Sequence, residues 1–107
     1  SNSAKSDCLG VNAALINRLG AVSREVATAM AQGALARSRA DAAVAITGVA
    51  GPGGGTDTKP VGLVYIAACS RAGPQSARAF RFGDLDRRAI RLASVNAALD
   101  LVEQVIK

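Results

Sequence analysis

The chain reads as an α/β protein, a three-layer α/β/α sandwich on a mixed sheet, and three features predict it. Two apolar runs, Ala42-Ala43-Val44-Ala45-Ile46 and Gly62-Leu63-Val64-Tyr65-Ile66-Ala67-Ala68, have the length and bounding residues of buried strands. Helix-period patterns lie on either side of them, one following Ser23 and one following Asp86. A Gly-Pro turn at Arg71-Ala72-Gly73-Pro74 joins the second run to an alternating segment, the signature of an antiparallel hairpin. Helices alternating with strands, plus one hairpin, imply helical layers on both faces of a sheet.

Taken in order, Lys5 to Leu9 begins a short helical turn. A helix follows, capped at Asn12, carrying Leu15, Ile16 and Leu19 inward and stopped by Gly20. Ser23 is a natural N-cap for the next, with Glu25 in the first turn, where the positive end of the helix dipole favours a carboxylate. That helix sets Val26, Met30, Gly33 and Ala34 along one packing stripe. The two apolar strands come next. From Gln75 to Phe82, alternation sends Gln75, Ala77, Ala79 and Arg81 to one face and Ser76, Arg78, Phe80 and Phe82 to the other. Gly83-Asp84-Leu85-Asp86 caps a last helix whose expected apolar stripe is Ile90, Val95, Ala98, Val102 and Val105.

Between the two apolar strands runs Thr47-Gly48-Val49-Ala50-Gly51-Pro52-Gly53-Gly54-Gly55. Glycines leaving a strand let backbone N–H groups approach an anion without side chains in the way, and a threonine hydroxyl at the strand end adds a donor. The spacing excludes the commoner phosphate loops. No Gly-Lys-Ser/Thr closes it, since Lys59 lies between Thr58 and Pro60, and the glycines lead to a strand rather than opening a helix. Pro52 also removes one backbone donor. Spacing alone therefore leaves both a flexible connection and an anion cradle open.

Composition narrows the chemistry. The 107 residues carry a net charge of +5, yet the ten arginines are scattered over several elements, with one local cluster at Arg87, Arg88 and Arg91. Only Tyr65, Phe80 and Phe82 could serve as stacking platforms, so a solvated basic surface is expected and nucleic acid is not a partner. No apolar run reaches the roughly 20 residues of a membrane span, so no membrane association is expected. Cys8 and Cys69 stand apart without metal-ligand spacing, which fits a reducing, cytoplasmic setting; Cys69 reads as a small core residue. Histidine is absent, which excludes Ser–His and Cys–His catalysis and histidine-ligated metal within the chain. A general base must then be a carboxylate or one of three lysines, at 5, 59 and 107.

The sequence resembles a known family. Ala45-Ile46-Thr47-Gly48-Val49-Ala50-Gly51-Pro52-Gly53-Gly54 with Lys59-Pro60-Val61-Gly62 looks like the signature of the CinA carboxy-terminal domain, whose members include the nicotinamide-nucleotide amidases. Ala21-Val22-Ser23-Arg24-Glu25-Val26-Ala27 is similar to a helix of that family. Ser1-Asn2-Ser3-Ala4-Lys5 resembles the end of its Tyr-Ser-Asn-x-x-Lys motif, and Arg87 with Ile90-Arg91 its R-x-x-I-R helix start. The resemblance implies the α/β/α fold already read from the pattern. It also implies an upstream region (a first helix, a first strand and a Glu-Ser-Cys-Thr-Gly-Gly segment) that this sequence does not contain. Residues 1–107 are thus expected to be the carboxy-terminal part of one such domain, incomplete at the N-terminus and inactive as it stands.

The activity implied is hydrolysis of the carboxamide of nicotinamide mononucleotide to nicotinic acid mononucleotide and ammonia, a step in pyridine nucleotide salvage, without metal or cofactor. The resemblance makes Lys5 the catalytic lysine, a base for a serine supplied by the upstream segment. Thr47 matches a substrate ligand of the family motif, with the amides of Gly48, Ala50 and Gly51 nearby. Arg87 opens the last helix, an unfavourable place for a cation unless it meets an anion there, and is assigned the 5′-phosphate. Arg88 and Arg91 are weaker candidates, and the length of the Asp84-Leu85-Asp86 turn leaves Arg87 and Arg88 as alternatives. Asp41 and Asp57 receive no role. The expected partners are the small nucleotide substrate and further copies of the protein. The competing reading is a non-catalytic nucleotide-binding or regulatory module of a competence/damage-inducible protein.

Overall fold

A computed structural model of the chain describes residues 22–48, 62–83 and 85–106. These form helix α1 (Arg24–Ala36), strands β1 (Ala42–Gly48), β2 (Leu63–Ser70) and β3 (Gln75–Arg81), and helix α2 (Arg87–Ile106). The sheet order is β1-β2-β3, with both neighbours antiparallel to β2. A parallel strand, which a mixed sheet requires, would have to come from outside the described residues. The readings of Lys5 to Leu9 and of the Asn12 helix also lie outside them, as does most of the glycine segment.

The layers follow from strand alternation. Odd-numbered residues of β1 and β2 meet α1: Val26, Ala27, Met30 and Ala31 pack on Ala45, Ala67 and Cys69, with Ala43, Tyr65 and Ala77 around them. Even-numbered residues meet α2: Ile90, Ala98, Leu101 and Val105 pack on Val64, Ile66 and Ala68, with Phe80 and Phe82 beside them. The two rings stack with centroids 5.8 Å apart. The α/β/α sandwich expected from the sequence is therefore present, with one helix on each face of the described sheet.

Two helix faces differ from expectation. In α1 the buried stripe is Val26, Ala27, Met30 and Ala31, while Gly33 and Ala34 are half-buried. In α2 the buried residues are Ile90, Ser94, Ala98, Leu101 and Val105; Val95, expected inside, is exposed. The reason is that α2 carries apolar residues on two faces, so periodicity does not say which one meets the sheet. Ser94 tolerates burial because its hydroxyl donates to the Ile90 carbonyl at 2.7 Å, leaving no orphaned donor.

The helix ends are held as their sequences suggest. The Val26 N–H donates to Ser23 Oγ at 3.2 Å, and the Ala89 N–H to Asp86 Oδ1 at 2.8 Å. The C-terminal end of α1 is held from a distance instead. Arg71, in the β2–β3 turn, donates to the carbonyls of Leu35 (2.9 Å), Ser38 (2.8 Å) and Ala40 (2.9 Å). The Leu35 carbonyl lies at the negative end of the helix dipole, those of Ser38 and Ala40 belong to the segment that follows, and a planar guanidinium reaches all three at once.

A glycine clasp closes the other end of the sheet. Gly62 has φ +89°, and a β-carbon built there would lie 2.3 Å from the Gly83 carbonyl oxygen and 2.6 Å from its nitrogen. The Phe82 N–H donates to the Gly62 carbonyl at 2.9 Å. The downstream anchor of the glycine segment is thereby pinned to the connection that leads into α2.

Replacing Arg71 by Ala is expected to lower stability by about 1 kcal/mol, a fall in Tm of about 4–8 °C. Arg71→Lys should recover little of it, because one ammonium cannot span three carbonyls. Thermal unfolding followed by circular dichroism measures both, and an unchanged Tm for Arg71→Ala would show that the clamp is idle. For Gly62→Ala the left-handed backbone alone costs about 1–3 kcal/mol. The contact with Gly83 adds to it, so this variant is expected to melt lower than Arg71→Ala.

Candidate functional site

The antiparallel register gathers the C-terminal end of β1, the N-terminal end of β2 and the C-terminal end of β3 at one edge of the sandwich. Gly48 pairs with Val64, and Leu63 with Arg81. The clasp between Gly62 and Gly83 then delivers the chain to Asp86 and the start of α2. Both anchors of the glycine segment and the first turn of α2 therefore belong to the same end of the fold.

A cavity of about 350 Å³ opens there, lined by Ile46, Gly48, Val64, Ile90, Arg91, Ser94 and Val95. Its size falls in the range of small-molecule sites, and its walls are mostly apolar, with the Arg91 guanidinium as the charged group. Gly48 is required by the packing as well as by the loop. A β-carbon at this position would come within 2.8 Å of Val64 Cγ2 and 3.0 Å of the Leu63 carbonyl oxygen.

The proposed site residues distribute unevenly over this geometry. Lys5, Ala50 and Gly51 lie outside the described residues. Thr47 is buried and pairs with Tyr65; strand alternation puts it on the α1 face, opposite α2. Gly48 lines the cavity. Arg87 is the first residue of α2 and is exposed, one helical turn before Arg91. Residues four apart share a helix face, so Arg87 and Arg91 form one row, while Arg88 is turned about 100° away toward Leu92 and Val95. The backbone carbonyl of Asp41 accepts from the Arg71 backbone N–H at 2.8 Å, and the residue lies outside the cavity lining.

Ser94 and Val95 line the cavity; sequence reasoning gave Ser94 no place and read Val95 as core, and their signal as site residues is their place one turn beyond Ile90 and Arg91. A second cavity of about 240 Å³ lies between α1 and β3 and includes Arg24, Thr28, Cys69 and Gln75. Burial pushes the thiol pKa of its cysteine up, disfavouring the thiolate, while a backbone hydrogen bond from Ala43 acts in the other direction. Among the described residues no group of three His, Cys, Asp or Glu side chains comes together to hold a metal ion. No helix among them is long and apolar enough to cross a membrane.

Known proteins share this whole pattern. The model of the CinA C-terminal domain matches residues 1–106. A CinA-like protein of Mycolicibacterium vanbaalenii is 52% identical over 106 residues, spanning 99% of this chain and 25% of the relative. A protein of Caldicellulosiruptor saccharolyticus described as a competence-damage inducible protein is 50% identical over 106 residues, with the same coverage. The chain thus spans about a quarter of the length of these curated relatives. Among solved structures, the competence/damage inducible protein CihA of Agrobacterium tumefaciens superposes with a TM-score of 0.97 at 50% identity, covering 100% of this chain and 65% of that one. A CinA superfamily protein of Escherichia coli superposes with a TM-score of 0.88 at 36% identity, covering 97% and 59%. The agreement in sequence and in fold places the chain in the CinA C-terminal domain family.

Proposed function

We propose that the protein to which this domain belongs hydrolyses the carboxamide of nicotinamide mononucleotide, giving nicotinic acid mononucleotide and ammonia. Family membership supports the reaction class. The observation that carries the binding half is the meeting, at one end of the sandwich, of a glycine segment anchored by Gly48 and Gly62 with an arginine-rich helix start beside a cavity of about 350 Å³.

In this reading, Arg87 holds the 5′-phosphate and Arg91, one turn on, adds a second guanidinium on the same face. Two cations in the first turns of a helix oppose the helix dipole, and a bound dianion reverses that penalty. The backbone N–H groups of the Thr47–Gly51 segment complete the grip on substrate. The apolar walls, Ile46, Val64 and Ile90, exclude water from the nucleotide. Chemistry falls to Lys5 as base for a serine hydroxyl. Lys5 takes the serine proton as the oxygen adds to the carboxamide carbon, backbone N–H donors stabilise the oxyanion, and the proton passes to the leaving nitrogen as the C–N bond breaks and ammonia departs; water then cleaves the acyl ester, releasing the carboxylate and freeing the serine.

In the full-length protein, Arg87→Ala removes a charge-assisted contact worth about 1.5–3 kcal/mol, roughly ten- to a hundred-fold in affinity. The loss is expected in KM for the mononucleotide rather than in kcat, because the phosphate is remote from the carboxamide and is held equally in ground and transition states. Arg91→Ala should act in the same direction and Arg88→Ala should not. Thr47→Ala, whose buried side chain lies on the α1 side of the sheet, should change binding less than Arg87→Ala does. Nicotinamide riboside, which lacks the phosphate, is the control. If Arg87→Ala impairs riboside hydrolysis as much as mononucleotide hydrolysis, Arg87 is structural and the phosphate assignment fails. If Lys5→Ala leaves ammonia release intact, the base assignment fails.

A further inference from the structure

The contact between Gly62 and Gly83 joins the sheet to the start of α2, and each residue is glycine for its own reason. At Gly62 (φ +89°) a β-carbon would lie 2.3 Å from the Gly83 carbonyl oxygen, so the two backbones touch. At Gly83 (φ +71°) a β-carbon would meet nothing within 4 Å, so the requirement there is the left-handed backbone itself. The turn that follows is a rigid block. The Asp86 carbonyl accepts from the Ile90 N–H at 2.9 Å, and Asp86 Oδ1 accepts from the Ala89 N–H at 2.8 Å. Buried Ile90 seats one side of this block on Val64. Gly83 tethers the other side: it precedes Arg87, the first residue of α2, by four residues, at most about 14 Å of extended chain. Rotation about the Ile90 seat would swing the Arg87–Arg91 row relative to the cavity that Arg91 lines, and the clasp opposes that rotation.

We propose that Gly62 and Gly83 are positioning residues for substrate: their backbone contact sets where the Arg87–Arg91 row stands, and with it the preference for a phosphorylated substrate over an unphosphorylated one. This rests on the reading of Arg87 and Arg91 as phosphate ligands and adds what holds them in place. Guanidinium–phosphate bonds are directional, and a misplacement of about 1 Å caused from a distance can cost about a hundredfold. A substrate gripped both in the cavity and at its phosphate feels such a shift, whereas one that lacks the phosphate is held in the cavity alone. The fold supplies a control at its other end. Gly73, in the β2–β3 turn, also has a positive φ (+121°) and open space around a β-carbon. It lies beyond Ser70, the far end of a strand that rises about 24 Å from Leu63.

The test uses the full-length protein and compares nicotinamide mononucleotide with the riboside, by KM or, where the riboside turns over too slowly, by its inhibition constant. Gly83→Val, a β-branched residue in a left-handed backbone, should raise KM for the mononucleotide about tenfold or more and the riboside value less than about threefold. Asparagine tolerates this conformation and would enter open space, so Gly83→Asn should restore most of the loss. Gly62→Asn should not, because its β-carbon meets the Gly83 backbone. Gly73→Val should lower Tm while leaving the ratio of the two constants within about twofold of its original value. If Gly83→Val does not melt cooperatively, Gly83→Ala, with milder strain, takes its place. Equal losses for both substrates in the Gly83 variant overturn the proposal. So does a Gly73→Val variant that shifts the ratio as far, or a Gly83→Asn variant as impaired as Gly83→Val. Arg87→Ala separates this failure from that of the phosphate assignment. If Arg87→Ala discriminates between the two substrates and Gly83→Val does not, the assignment stands and the positioning role falls; if Arg87→Ala does not discriminate, both fall.

Discussion

Strand β2 is paired on both edges and covered on both faces, and the rest of the described fold is arranged around it. Its even residues Val64, Ile66 and Ala68 form the floor for α2, and its odd residues Ala67 and Cys69 the floor for α1. A strand buried on both faces cannot slip by one residue without turning one helix's floor toward the other, so the register of all three strands is strongly specified. Alanine at 67 and 68 keeps both floors shallow, and Ala27 and Ala31 of α1 are equally small. The sandwich is therefore held by close approach of small residues more than by large aromatic ones, which suits a chain with so few aromatic residues.

That register decides where ligand chemistry can occur. With β1 and β3 both antiparallel to β2, the ends of β1 and β3 and the start of β2 fall together, and the glycine segment must begin and end at this edge. The Gly62–Gly83 clasp then fixes the start of α2 relative to the segment's exit. At the opposite edge, Arg71 ties the β2–β3 turn to the Leu35 carbonyl of α1 and to the Ser38 and Ala40 carbonyls just beyond it, using one of the chain's many cations for packing. The basic composition thus divides into cations with local structural work and a cluster at one helix start.

How much of this was legible in the sequence depended on whether the cause was local. The strands β2 and β3 and their hairpin were readable because apolar runs, alternation and Gly73-Pro74 are local signals, and the caps at Ser23 and Asp86 are equally local. The packed face of α2 was misread at Val95 and missed at Leu101 because apolar residues on two faces give periodicity nothing to choose between. Arg71 gave no sign of its task, since its partners lie 31 to 36 residues away. Gly48 was readable as part of a ligand loop, but its contact with Val64 depends on pairing across strands. As for the site, spacing excluded the familiar phosphate loops without naming an alternative, and the residues gained roles only through family likeness. Thr47 illustrates the limit: its place at a strand end was clear, its position on the face opposite α2 was not.

The charge order of α2 ties these strands of argument together. Arg87, Arg88 and Arg91 crowd the positive end of the helix dipole while Asp100 and Glu103 lie toward the negative end, the reverse of what an isolated helix favours. Asp86 relieves only one donor of the first turn. A local preference violated this consistently is expected where something outside the helix repays it. Helical geometry separates the cations into two rows. Arg91 lines the cavity beside Gly48, and Arg87 precedes it by one turn on the same face. Arg88 lies on the other row, with the exposed Leu92, Val95 and Leu99. The rotation of about 100° between residues 87 and 88 is what divides these cations between two rows.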